Sequence, residues 1–279
     1  YELDVKARRA PERGTKLTDA VVAASGLLAD HRLHARCEVT QRQCVDAVLE
    51  VVESGDADMI SVMSHVPGKG QFQDVEAFRR YYENANDHTV AEAEEMIEQR
   101  TGVSRATLRE RVDRVLDAAH DAGAVTASHD DEDPAEVERL ADSGVDITEY
   151  PIARGAPGRA ADSGTTTARA APTLARGEGR GGNPPRPAAP AAGVVAPLGA
   201  TYPPPSLRAA AFIDTGAPLP KRVRRVTANP ADAAGINDRG RIEAGARADL
   251  LLVDRDPTPT VARALVAGRP VYRAEREDR

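Results

Sequence analysis

The sequence predicts an α/β fold, a parallel sheet or barrel made of βαβ units with a small β-layer at the C-terminal end. Short apolar runs of strand character alternate with stretches of helical periodicity through residues 1–150. Several of these runs end in a loop that opens with a Glu or a His. The last forty residues change to short apolar runs broken by glycine. Strand, loop, helix and strand at this spacing favour parallel pairing, because the helix carries the chain back across the sheet.

Lys16 to Ala29 has helical spacing, with Leu17, Val21, Val22, Leu27 and Leu28 on its stripe. Leu33 to Val39 reads as a strand. Gln41 to Glu53 predicts a helix with Val45, Val48, Leu49 and Val52 on one face. Asp58 to Met63 is a buried strand, and His65-Val66-Pro67-Gly68-Lys69-Gly70 after it is a loop. A helix opens at Thr89, with Glu92 three residues on as a capping box. Another spans Ser104 to Ala122 and stops at Gly123. Ala124 to Ser128 is a third strand. Asp133-Pro134 starts a short helix, with an acidic N-cap and proline in the first turn. Gly144 ends that helix, and Val145 to Tyr150 is a fourth strand.

The composition then shifts. Residues 152–200 are dominated by Ala, Gly, Arg and Pro, contain no aromatic residue, and follow neither a period of 2 nor one of 3.6. Such a segment buries too little apolar area to offset its ordering entropy, which predicts disorder. Patterning returns at Tyr202. Leu219 to Ala234 is helical up to an interruption at Asn229-Pro230. Gly240–Ile242, Ala248–Asp254 and Ala264–Tyr272 predict short strands with glycine turns.

The whole chain has 279 residues and a formal net charge of −7, with 41% hydrophobic and 3% aromatic residues. The acidic balance argues against a nucleic-acid partner, because phosphate binding draws on clustered cations. No apolar run reaches the roughly 18 residues needed to span a bilayer. The start, Tyr1-Glu2-Leu3-Asp4, has no apolar signal region and no Met, so a cytoplasmic protein with a true start upstream is expected. Cys37 and Cys44 form neither a disulfide framework nor a zinc cluster. Only four lysines occur (Lys6, Lys16, Lys69, Lys221), a bias that suits a GC-rich gene.

Three strand ends carry metal-ligand residue types: Glu38, His65, and His129 followed by Asp130-Asp131. Reactive groups in parallel α/β folds gather where strands give way to loops at their C-terminal ends. Imidazole and carboxylate suit Zn²⁺, Mn²⁺ or Fe²⁺. Any one of these histidines could instead be a hydrogen-bonded structural residue, and Asp130 and Asp131 could cap the next helix. His31 and His34 are read as structural or positioning groups, and Cys37 as a small buried hydrophobe. Arg79-Arg80 with Tyr81-Tyr82 could hold phosphate or form a solvated helix face.

His31-Arg32-Leu33-His34-Ala35-Arg36-Cys37-Glu38 is followed by Ser61-Val62-Met63-Ser64-His65-Val66-Pro67-Gly68, Gln71-Phe72, Tyr81-Tyr82 and Ala127-Ser128-His129-Asp130-Asp131. Together these resemble the amidohydrolase-superfamily diphosphatases of the carbon–phosphorus lyase pathway. The tail, Val226 to Ala231 with Gly240-Arg241-Ile242 and Ala246 to Leu250, is similar to the C-terminal part of amidohydrolases generally. The resemblance covers about residues 18–151 and 202–272.

It implies a distorted (β/α)8 TIM-type barrel, incomplete in this chain, with a small C-terminal β-layer. The segments are then 1–151, a partial hydrolase barrel; 152–200, the low-complexity stretch; 201–236, the end of the barrel; and 237–279, the small β domain and tail. The implied activity is metal-dependent hydrolysis of α-D-ribose 1-methylphosphonate 5-triphosphate, releasing pyrophosphate and leaving the 5-phosphate. Glu38, His65 and His129 match the family's metal positions. Lys69, Arg79 and Arg80 are candidate contacts to the polyphosphate. The partner is a small phosphorylated sugar rather than nucleic acid or membrane, with homo-oligomer formation left open.

The departures from the family pattern are specific. The family's first-strand His-x-Asp pair has no counterpart ahead of Glu38, and Thr201 stands where the family carries an Asp before Tyr-x-Pro-x-Ser-Leu. Loss of the N-terminal portion and compensating frameshifts across 152–200 are the expectation, with an impaired metal site. An amidohydrolase acting on a C–N bond, like dihydroorotase or a deaminase, and a non-catalytic remnant are the alternatives.

Overall fold

The computed structural model describes residues 2–3, 11–68, 74–86, 89–152, 165–168, 194–195, 217–256 and 258–274. They divide into two compact units. The first is a parallel α/β layer. Strands β1 (Glu2–Leu3), β2 (His34–Glu38), β3 (Met59–Met63), β4 (Val125–His129) and β5 (Ile147–Glu149) are parallel neighbours in strict chain order, with β6 (Thr166–Ala168) following β5. Strands laid down successively in one direction wind singly, as in a barrel. A doubly wound sheet would reverse its order at a switch point.

The helices are α1 (Pro11–Val22), α2 (Arg42–Glu53), α3 (Val75–Asn86), α4 (Val90–Thr101), α5 (Arg105–Asp121) and α6 (Pro134–Asp142). Alternation along the strands gives the sheet two different faces. Ala35 and Cys37 of β2 and Ile60 and Val62 of β3 point to one face. There they pack on Cys44, Val45, Val48 and Val52 of α2 and on Val115, Leu116 and Ala119 of α5. Each large aliphatic side chain buried there contributes about 1.5–3 kcal/mol over leaving it in water. The opposite face carries His34, Arg36, Glu38 and Ser61, the residues between. A satellite cluster joins α3 to α4 through Phe78, Tyr82, Ala93 and Met96.

The helix signals hold where polar side chains satisfy orphan backbone groups. Thr89 accepts from the Glu92 N–H while the Glu92 carboxylate accepts from the Thr89 N–H. Ser104 caps α5 by accepting from Thr107, and Asp133 caps α6 by accepting from Ala135, ahead of Pro134. Gly123 and Gly144 follow these helices at φ 71° and 83°, where a Cβ is disfavoured.

Four elements depart from the sequence pattern. α1 starts and ends earlier than Lys16 to Ala29. Its last turn closes at Ala23 and Ala24, and Leu27 and Leu28 are 50% and 69% exposed beyond it. α3 joins the elements read from the sequence as an additional helix. The Leu219–Ala234 stretch forms two short helices, α7 (Leu219–Arg224) and α8 (Ala228–Ala233), broken before Ala228 rather than at Pro230. Pro230 lies in the first turn of α8, where a missing N–H leaves no hydrogen bond unmade. Gly240–Ile242 is not a strand. Gly240 has φ 91°, a Cβ there would lie 2.6 Å from that of Ala231, and Ile242 is 92% exposed.

The second unit holds Ser25–Asp30, β7 (Val194–Val195), α7, α8 and an antiparallel sheet in the order β10 (Arg269–Arg273), β9 (Thr260–Val266), β8 (Leu250–Asp254). Ala267-Gly268 turns β9 into β10 with φ 48° and 76°, the positive-φ pair that two-residue hairpins favour. Asp30, Arg239, Arg247 and Asp249 form an ion-pair cluster in this unit. No helix among the described residues is long and apolar enough to cross a membrane.

Candidate metal centre

Strand register builds the site. Glu38 pairs with Met63, Met63 with His129, and His129 with Glu149, so one row crosses four parallel strands at their C-terminal ends. His65 follows Met63 by two residues. The predicted trio of Glu38, His65 and His129 is therefore gathered in one place. The imidazole rings of His65 and His129 lie edge to face, 5.9 Å between centroids.

Each histidine is held by its own glutamate. Glu38 Oε2 lies 2.7 Å from His65 Nδ1, and its carboxylate also accepts from the His65 backbone N–H and from the Thr40 hydroxyl at 2.6 Å. Glu149 Oε2 lies 3.2 Å from His129 Nδ1 and accepts from Ser61 Oγ at 3.0 Å. These contacts favour protons on both Nδ1 atoms and leave both Nε2 lone pairs as ligands. Asp130 Oδ2 lies 3.9 Å from His65 Nε2 and 3.8 Å from His129 Nε2.

Two buried or half-buried arginines back the glutamates. Arg100, fully buried, places Nη1 3.4 Å from Glu38 Oε2, donates to the His65 carbonyl at 3.2 Å, and lies over the rings of Phe78 and Tyr82. Arg36 Nη2 is 2.8 Å from Nε2 and 3.3 Å from Nδ1 of His129. Nη2 lies nearer Nε2, within hydrogen-bond distance of it.

Burial opposes the charge on Glu38, but the His65 ring, its hydrogen bond, Arg100 and Thr40 outweigh it and hold the pKa at about 2. Burial likewise opposes the charge on Glu149. The hydrogen bond and charge of His129, with His34 and Arg36, prevail there and also give about 2. Burial lifts Asp131 to about 6 against its Ser128 hydrogen bond. It lowers His34 to about 4, with Glu149 pulling the other way. Desolvation raises Tyr150 to about 12.

The donor set fits a divalent cation. Two ligands about 2.1 Å from one ion stand at most about 4.2 Å apart, and tetrahedral angles bring them somewhat closer. The approaches of Asp130 to the two imidazoles fall inside that span and beyond hydrogen-bond length. His65, His129 and Asp130 offer ligand atoms all within 4.8 Å of one another.

A cavity of about 520 Å³ adjoins the cluster, lined by His129, Asp130, Val66 and Pro67, with Arg105 and Arg109 of α5 on its far wall. Arg109 pairs with Glu136 at 2.7 Å and Arg105 with Asp133 at 3.4 Å. Two of the polyphosphate candidates, Arg79 and Arg80, are not among the residues that line the cavity. Arg79 pairs with Glu76 and Glu94, and Arg80 with Asp74. Lys69 and Thr201 are outside the described residues. Tyr82 is core, stacked on Phe78, rather than a phosphate contact. Cys37 is buried, and its thiol is pushed up by desolvation, as expected of an inert hydrophobe.

His34 supports the site from below, bonding Ser61 at 2.5 Å, which in turn bonds Glu149. Sequence reasoning singled out none of Glu149, Arg36, Arg100, Arg105 and Arg109, and the four arginines carried no separate signal. Glu149 alone had a usable one, since it ends a strand as Glu38 does.

Singly wound parallel strands, with imidazoles and carboxylates collected at their C-terminal ends, define an α/β protein with a candidate divalent-cation site. Over 232 residues the chain is 31% identical to the alpha-D-ribose 1-methylphosphonate 5-triphosphate diphosphatase of Escherichia coli (strain K12). The alignment takes in 81% of this chain and 61% of that relative, so the chain spans less than two thirds of the relative's length. The similarity bears out the family resemblance carried by residues 31–38, 61–68 and 127–131.

Among solved structures, the chain is similar to 5-methylcytosine deaminase from Klebsiella pneumoniae liganded with 5-fluorocytosine. That match has a TM-score of 0.48 and 17% identity, covering 96% of this chain and 77% of the other. A metal-dependent hydrolase from Pyrococcus horikoshii matches with a TM-score of 0.43 and 14% identity, over 90% and 59% of the two chains. No family model matches the chain.

Proposed function

We propose that this chain belongs to the phosphonate-pathway diphosphatases and is a metal-dependent hydrolase. Its reaction would take α-D-ribose 1-methylphosphonate 5-triphosphate and water to the 5-phosphate and pyrophosphate. The observation that carries this reading is the meeting of Glu38, His65 and His129 at adjacent strand ends, at positions where the sequence resembles that family. A bound divalent cation would polarise a phosphoryl oxygen and lower the pKa of a coordinated water.

The chain's own residues prepare that chemistry. His65 and His129 would hold the ion, with Glu38 beside it. Glu38 and Glu149 fix the imidazole orientation, and the contacts of His65 and His129, with smaller help from Arg100 and Arg36, keep those glutamates ionised in a buried setting. The 520 Å³ cavity is within the size range of small-molecule sites. Its wall carries the carboxylates of residues 130–133 and 136 against two arginines. A triphosphate would therefore enter as a complex with a divalent cation, which offsets that repulsion. Arg105 and Arg109 are better placed for the phosphate arm than Arg79 and Arg80, and Lys69 is a further candidate.

The test is pyrophosphate release from the triphosphate with added Mn²⁺ or Zn²⁺, run beside cyclic-amide and aminopyrimidine substrates. Pyrophosphate release lost in His65→Ala and His129→Ala supports the proposal. Turnover of the C–N substrates alone would overturn it.

A further inference from the structure

Arg36 lies on the face of β2 that carries Glu38, one row deeper in the sheet. Its row continues through Ser61 of β3, Ala127 of β4 and Ile147 of β5. Interior layers of a parallel barrel are ordinarily filled by branched aliphatic side chains. Here a guanidinium takes such a place, and the next two residues of the row, Ser61 and Ala127, are small and fully buried. A local packing rule broken in this way marks a functional position more often than a structural one.

The guanidinium reaches the strand ends. Its Nη2 is 2.8 Å from His129 Nε2, the nitrogen assigned above to the cation. A metal cation and a guanidinium drawn to one imidazole nitrogen repel each other, and an anion lying between them removes that repulsion. A neutral ring whose C–N bond is to be cleaved offers no such anion. A phosphoryl group offers several nonbridging oxygens, and the planar fork of an arginine can take two of them while another meets the cation. Arg105 and Arg109 are placed differently, on the cavity wall and paired with Asp133 and Glu136.

Resting on the diphosphatase reading above, we propose that Arg36 recognises the phosphoryl group at the metal, binding its nonbridging oxygens and so selecting an anionic phosphoanhydride over a neutral amide. Arg105 and Arg109 then serve the rest of the phosphate arm.

The experiment titrates inorganic phosphate into the zinc-loaded full chain by calorimetry. Zinc uptake and pyrophosphate release from the triphosphate are measured on the same proteins. Arg36→Gln should weaken phosphate binding at least about 10-fold, the scale of one charge-assisted hydrogen bond. Its zinc binding should stay within about tenfold of the parent, because the contacts of His129 dominate at Glu149. Arg36→Met, which fills the interior position with an apolar chain, gives the same readings where the glutamine destabilises the fold, and Arg36→Lys should recover part of the phosphate binding.

Phosphate binding within threefold of the parent in Arg36→Gln or Arg36→Met overturns the proposal. So does a loss of zinc together with phosphate, which would make Arg36 a support of the metal ligands instead. A parent that binds phosphate through Arg36 but releases no pyrophosphate removes the diphosphatase reading and leaves the phosphoryl site standing. If the parent releases pyrophosphate and Arg36→Gln does so at undiminished kcat/KM, Arg36 alone falls. A parent that takes up no zinc removes both.

Discussion

β3 and β8 are both five-residue strands rich in apolar side chains, Met59–Met63 and Leu250–Asp254, yet they have opposite fates. Every residue of β3 is buried, and none of β8 is. β3 lies between parallel partners, with α2 and α5 across one face and the polar row of the candidate site on the other. β8 stands at one end of a three-stranded antiparallel sheet that has no fully buried residue. An apolar run therefore specifies extended chain well enough. How much that run stabilises the fold depends on what covers it, which is settled by the packing of distant helices.

The contrast can be broken by mutation. Ile60→Ala removes a fully buried side chain from the face covered by α2 and α5, and should cost about 2–5 kcal/mol in urea denaturation of the first unit. A loss under about 1 kcal/mol would show that the parallel layer is loosely packed.

The polar face of the same sheet is sharpened by pH. The unfolded chain takes a proton at His34 near the ordinary histidine value, while burial delays uptake in the fold to about 4. Between about pH 6.5 and pH 4 the unfolded state binds more protons, so stability falls as pH falls, by at most about 1.4 kcal/mol per pH unit. His34→Gln should flatten the urea-midpoint profile in that window. An unchanged slope would place the proton uptake elsewhere.

The smallest effect is expected in the second unit. Leu252→Ala, at a position 46% exposed, should change stability by no more than about 1 kcal/mol. A loss matching that of Ile60→Ala would mean that β8 is covered in solution.

Local signals were legible because their partners lie within one helical turn. Thr89 with Glu92, Ser104 with Thr107, and Asp133 before Pro134 each satisfy backbone groups a few residues away. Helix α3 was harder to see, since its buried residues, Phe78 and Tyr82, face α4 and Arg100 rather than the main core. Leu27 and Leu28 were misleading for the converse reason. They continue the stripe of α1 by spacing, but the chain has already turned at Ala23 and Ala24. Glu38, His65 and His129 were visible one by one, each following a strand. Their supports were not, because Arg36 reaches His129 across 93 positions of chain and Ser61 reaches Glu149 across 88.

The sequence by itself determined the succession of strands and helices between Leu33 and Tyr150 apart from α3, which residue types end each strand, and which family those strand ends resemble. These follow from periodicity, capping and side-chain chemistry, which act over a few residues. Tertiary structure alone decided that Glu38 turns toward His65, that Glu149 does the same for His129, and that Asp130 faces both rings. Those relations depend on the register of parallel strands joined by long crossovers, and a shift of one residue would send every side chain in the row to the other face.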